Sequence, residues 1–206
     1  MTDSKTKSDS LGATCRSALR DIWIAEKFHR IRDFSSVMIE KGNANENIGI
    51  QMLSLKFRDL FEKNEQYFEN DYFTGTPDII DTEYLYDVKC SWSLHTFFDA
   101  DLNKDYHAQG QVYMELTGRK KYRLCYVLTD TPEKLIQQEI QKILYKCADP
   151  TLLPDIEQGV RSQLTFNDIP KESRVKVFEF NHDSEFIKKA CDKIDLCRIE
   201  YEKFTL

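Results

Sequence analysis

Between Tyr72 and Cys90 the chain has few ways to fold. Two apolar, β-prone runs, Tyr72 to Ile80 and Tyr84 to Cys90, flank the polar segment Asp81-Thr82-Glu83, a pattern that predicts a β-hairpin. Residues two apart in a strand share a face, so Asp87 and Lys89 point one way and Val88 the other. With Thr82 and Glu83 as the loop, Asp78 falls opposite Asp87. Directly opposed side chains lie roughly 5 Å apart at Cβ, and like charges there repel. Two carboxylates and an ammonium converging on one strand pair call for a compensating partner. A divalent cation between the carboxylates supplies it, because hard cations take oxygen ligands. The short pattern acid-x-Lys says little by itself: it recurs at Asp3-Ser4-Lys5 in a polar stretch, and the charged ends of an exposed edge strand read the same way.

The remaining sequence has to supply the context. At 206 residues and 41% hydrophobic content, the chain suits one sizeable domain with a terminal extension. We expect residues 1–12 to be a disordered tail and 13–206 a single domain. No run approaches the ~20 apolar residues of a membrane span, and the polar start lacks the apolar stretch of a signal peptide. The net charge of −6 argues against coating nucleic acid by bulk charge, though not against a local basic surface. Six cysteines (15, 90, 125, 147, 191 and 197) form no C-x-x-C pair and read mostly as small core residues.

Taken in order, the spacing predicts a helix over about Ala13–Glu40, with Leu19, Ile22, Trp23 and Phe28 at helical steps. Arg16, Arg20, Lys27 and Arg30 form another stripe of it, either a solvated face or a phosphate-contacting one. Gly42-Asn43-Ala44-Asn45 punctuates the chain, and a second helix is expected over about Asn45–Lys63 with Glu46 in its first turn, heading the stripe Ile50, Leu53, Phe57. An acid there suits the positive end of the helix dipole, but one heading a core-facing stripe also points at whatever the stripe packs on. After the hairpin come a helix over Lys104–Thr117 closed by Gly118, the basic cluster Arg119, Lys120, Lys121 and Arg123, a strand Tyr122–Leu128 and a helix Pro132–Lys146. Asp149–Pro170 reads as partly loop, Arg174–Phe180 as an edge strand, and Asn181-His182-Asp183 as the start of a last helix. The sum is an α/β fold with a central mixed β-sheet flanked by helices.

Glu46 on a helix after Gly42, then Gly-Thr-Pro-Asp78, then Asp87-Val88-Lys89, then Ala108-Gln109-Gly110-Gln111-Val112-Tyr113-Met114 together resemble the PD-(D/E)XK nuclease superfamily, and within it the lambda-exonuclease-like (YqaJ-like) phage recombination exonucleases. The likeness spans about Gly42 to Pro132. It implies a restriction-endonuclease-like core and a Mg²⁺- or Mn²⁺-dependent exonuclease acting on linear double-stranded DNA, 5′→3′. It further implies Asp78, Asp87 and the Val88 carbonyl as metal ligands, and Glu46 bound directly, through water, or at a second metal. Lys89 would orient water and offset phosphate charge, and Gln109 would support the site, with Gln111 the weaker candidate. Asp87 stands where the phage exonucleases usually carry Glu. The two basic groups are the DNA-contact candidates.

The resemblance also implies double-stranded DNA and a single-strand annealing protein as partners, a trimeric ring, no membrane, and a cytoplasmic setting in a bacterium or a phage's host. Three alternatives stand beside it. A RecB-like nuclease with an iron–sulfur cluster would use Cys15, Cys191 and Cys197, but Lys188 stands where a further ligand is needed. A site-specific endonuclease would share every motif. A non-catalytic DNA-binding module would have lost an acid or the lysine, and here all are present.

Overall fold

The computed structural model describes residues 11–32, 36–147 and 149–206. In chain order the elements are α1 (Ala13–Phe28), α2 (Val37–Phe57), β1 (Phe68–Glu69), β2 (Thr74–Gly75), β3 (Ile79–Ile80), β4 (Tyr84–Cys90), α3 (Leu94–Phe98), α4 (Lys104–Thr117), β5 (Lys121–Val127), α5 (Glu133–Cys147), α6 (Leu153–Leu164), β6 (Val175–Asn181) and α7 (Ser184–Tyr201). Among the described residues they fall into two compact units: residues 36–68 with 74–182, and residues 11–32 with 69–73 and 183–206.

The larger unit is built on a four-stranded sheet in the order β3-β4-β5-β6. The outer pairs are antiparallel and β4–β5 is parallel, so the sheet is mixed as expected. The β4–β5 connection carries α3 and α4, as a parallel pair requires a crossover. Period-two alternation then divides the core. Tyr86, Val88, Cys125 and Val127 pack under Ile50 and Leu53 of α2. Leu85, Tyr122, Leu124 and Tyr126 pack with Met114 of α4 on the opposite face. Two glycines allow the helices to come this close. A Cβ at Gly49 would sit 2.6 Å from Val88 Cγ1, and one at Gly110 would sit 2.5 Å from Phe180 Cζ.

Several boundaries differ from the expectation. The first helix stops at Phe28, where His29 turns left-handed (φ 55°). The next starts at Val37, capped by Ser36 Oγ accepting from the Ile39 N–H, and runs straight through Gly42 and Asn45. Those residues are poor helix formers, by up to about 1 kcal/mol for glycine, but packing overrides propensity. Asn45 is buried and donates to Thr129 Oγ1 (2.9 Å) and the Asp130 carbonyl (2.7 Å) instead of ending the helix. Glu46 therefore lies inside α2 rather than in a first turn. Within the stretch expected to be partly loop, residues 153–164 are helical, because Ile156, Val160 and Leu164 form a stripe on Ile136 and Ile140 of α5. The edge position of β6 agrees with the expectation.

The smaller unit contains α1 and α7. The expected tail lies outside the described residues up to Ser10, whereas Leu11 is buried with Cys15 and Cys197. The Cys15 and Cys197 thiols are 3.5 Å apart, and Arg16 pairs with Glu200 at 3.2 Å. No described helix is long and apolar enough to cross a membrane.

Candidate active site

The hairpin sets the site. β3 and β4 pair Ile79 with Tyr86 and Ile80 with Leu85, and the Asp81 N–H closes the turn on the Tyr84 carbonyl at 2.9 Å. Thr82 and Glu83 are thus the loop, and the same register brings Asp78 level with Asp87. The first run is not one continuous strand. It breaks at Thr76–Asp78, where Pro77 has no N–H to pair, and the freed Asp78 side chain turns back to accept the Val88 N–H through Oδ2 at 2.7 Å.

Asp87 is sealed on the α4 face at 1% exposure, its Oδ2 only 2.7 Å from Lys89 Nζ. That contact is a buried ion pair, and Lys89 and the Tyr122 hydroxyl are the groups that hold this carboxylate. Taking a carboxylate out of water is costly even where it is paired. Burial, then the Asp87 charge, pushes Asp78 up to about 7. Burial raises Asp87 too, against the pull of Lys89. For Lys89, burial works downward but the Asp87 carboxylate outweighs it, leaving a net rise. The ammonium also faces the Tyr106 ring, 4.9 Å from its centroid.

Beside these groups opens a cleft of about 510 Å³ lined by Glu46, Asp78, Val88, Lys89, Trp92 and Tyr106, among others. Glu46 reaches it from the α2 side, where its Oε2 accepts from Lys63 Nζ at 2.8 Å. Among the described residues no three His, Cys, Asp or Glu side chains are arranged to hold a metal. The donor chemistry nevertheless fits a hard cation. Two opposed carboxylates carry proton affinities raised first by burial, with one ammonium, Lys89, to offset them.

The glutamines divide. Gln109 donates to the Tyr113 hydroxyl at 3.0 Å. Gln111 is a satisfied core amide, fully buried and donating to the Asn181 carbonyl at 2.9 Å. The basic cluster is not brought to the cleft. Lys121 pairs with Tyr84 at the far end of β4, and its side chain is bound to Glu83. Arg119 donates to the Asp81 carbonyl (2.9 Å), and Arg123 pairs with Glu179 (3.0 Å) and stacks on Tyr84 (3.6 Å); Lys120 is exposed. Within the smaller unit, Arg20 and Arg30 line a hollow with Trp23 and Phe28, and Lys27 is exposed.

Three further residues stand at or beside the site outside the motifs. Tyr106 continues the Gln109–Tyr113 stripe three residues back, a signal that was there to be followed. Lys63 lies past the end of α2, where no period applies. Lys41 is fully buried on α2, with Nζ donating to the Trp92 carbonyl at 3.0 Å and lying 5.7 and 5.4 Å from the Trp92 and Phe166 ring centroids.

Neither protein families nor curated proteins yield a sequence match. Solved structures do match. A phage-related exonuclease from Haemophilus somnus 129PT superposes with a TM-score of 0.79 at 22% identity, covering 98% of this chain and 89% of that one. The alkaline exonuclease LHK-Exo from Laribacter hongkongensis superposes at 0.64 with 10% identity, over 94% and 82%. Its complex with dAMP gives 0.63 and 11% over the same shares. The fold is that of these exonucleases, a mixed sheet between helices as the motifs led us to expect.

Proposed function

We propose that this chain is a divalent-metal-dependent deoxyribonuclease that degrades linear double-stranded DNA from its ends, in the 5′→3′ direction. The observation that carries the reading is the Asp78–Asp87 pair, one acid half-buried at the cleft and the other sealed, set across a hairpin with Lys89 two residues on, in a fold shared with exonucleases. Asp78, Asp87 and the Val88 carbonyl would hold Mg²⁺ or Mn²⁺, with Glu46 joining directly or through water. Such an ion, when bound, lowers the pKa of water and neutralises charge developing on the phosphate.

The protein's own groups do the rest. The Val88 N–H fixes Asp78, and Asp87 fixes Lys89. Lys89 stays protonated beside Asp87, which favours orienting water and offsetting phosphate charge over general-base work. Gln109 braces the site from α4 through Tyr113. The dry floor strengthens each of these interactions. Duplex DNA is the proposed substrate, a single-strand annealing protein and a trimeric ring the proposed associates, and the cytoplasm the proposed setting.

Digestion of linear and closed-circular duplex with Mg²⁺ and with EDTA, each strand end labelled separately, tests the reading. Mg²⁺-dependent loss of linear DNA from the 5′ end with intact circles is expected. Cut circles would turn the assignment to an endonuclease, and no cleavage to a binding module.

A further inference from the structure

Lys63 belongs to the segment following α2, and two bonds of its neighbour fix it at the rim of the cleft. Asn64 donates its backbone N–H to the Asp78 carbonyl at 2.7 Å and its side-chain amide to the Pro77 carbonyl at 2.9 Å. The segment is thereby stapled to the corner that delivers the first acid. From there Lys63 lays its ammonium on Glu46, 2.8 Å from Oε2. The bond to Glu46, together with the charges of Glu46, Asp78 and Glu65, holds the Lys63 pKa above the ordinary lysine value despite some desolvation. Glu46 and Asp78 are the two acids that line the cleft, so one of them already carries a cation.

We propose that Lys63 is a resident counter-ion of Glu46, which a divalent cation must displace to fill the cleft, so that Lys63 sets the metal concentration at which the site loads. This rests on the reading of the cleft as a divalent-metal site. Displacement strands no charge. The Lys63 side chain is 41% exposed, and the exposed Glu62 and Glu65 flank it, so the freed ammonium remains in water beside carboxylates. A carboxylate oxygen taken by an ammonium is an oxygen denied to the metal, and the competition is mutual by linkage.

The test is Mn²⁺ binding to the full chain without DNA, followed by loss of the free-ion EPR signal, in wild type, Lys63→Gln, Lys63→Arg, Glu46→Gln and the Lys63→Gln/Glu46→Gln pair. Lys63→Gln is expected to fill at roughly fivefold lower Mn²⁺, the upper worth of a partly exposed ion pair, and Lys63→Arg within about twofold of wild type. The gain should vanish in the Glu46→Gln background, and the metal concentration for half-maximal cleavage should shift by the same factor. Unchanged or weaker binding in Lys63→Gln, with Glu46→Gln weakened, overturns the inference and leaves the metal site standing. A gain that persists without Glu46 overturns it too, since the lysine would then act only through its general field. If wild type binds no Mn²⁺, the underlying reading falls with it.

Discussion

The two ends of the β4–β5 pair are both crowded with charge, yet they are built on opposite terms. At the end where the strands begin, Lys121 meets Glu83 and Arg123 meets Glu179, cation for anion, at the surface. At the other end two carboxylates share one ammonium, and Asp87 is 1% exposed while Glu83 is 58% exposed. Matched, hydrated pairs of the first kind contribute little, typically 0 to about 1 kcal/mol. A mismatched, dry cluster is costly and persists only where something else justifies it. The contrast separates paired surface charge from the acids to which the proposed function assigns a role.

Substitutions at the dry end should be the most severe. Lys89→Ala is expected to lower metal-dependent cleavage by at least about a hundredfold, with metal binding retained; unchanged cleavage would sink the role given to Lys89. Asp78→Asn should lower cleavage by a comparable factor and yet raise the melting temperature, because it removes the half-buried one of two opposed acids while an amide oxygen can still accept the Val88 N–H. A fall in melting temperature would mean that the pair is not under repulsion.

Lys41 gives a milder, pH-dependent effect. Burial lowers its pKa from 10.5 to about 8, against the opposing pull of Cys90 and Asp130. Between those two values the unfolded chain keeps a proton that the folded chain has shed, so stability contributed here rises as the pH climbs through that window. The full amplitude is about 3 kcal/mol at most. Lys41→Met should flatten this rise in denaturant melts compared with wild type; parallel curves would count against it.

The matched end should respond least. Arg123→Ala, which loses stacking on Tyr84 and the Glu179 pair, is expected to cost about 1 kcal/mol of stability and to leave cleavage within about threefold. A hundredfold loss of cleavage would return the basic cluster to the DNA-contact role first expected of it.

Much of the dry end could be read before any coordinates. The hairpin, its two-residue loop and the Asp78–Asp87 opposition follow from period-two alternation and a polar interruption, which are local properties. The helix carrying Glu46 was misplaced for an equally physical reason. Gly42 and Asn45 carry stop signals when only neighbours in sequence are considered, but the bonds from Asn45 to Thr129 and Asp130 come from 84 and 85 residues away. The same limit hid Lys63 and Lys41, whose partners lie 17 and 51 residues off.

By itself, then, the sequence determined the strand faces, the register of the hairpin, the mixed α/β class and the identity of the paired acids, because alternation and turn chemistry act over a few residues. Only the tertiary structure decided which acid is sealed from water, which already carries a lysine, and which arginines are spent on tyrosines and glutamates. Burial and ion pairing depend on residues far apart in the chain, and the low dielectric that makes Asp78 and Asp87 unusual exists only once two helices have closed over the sheet.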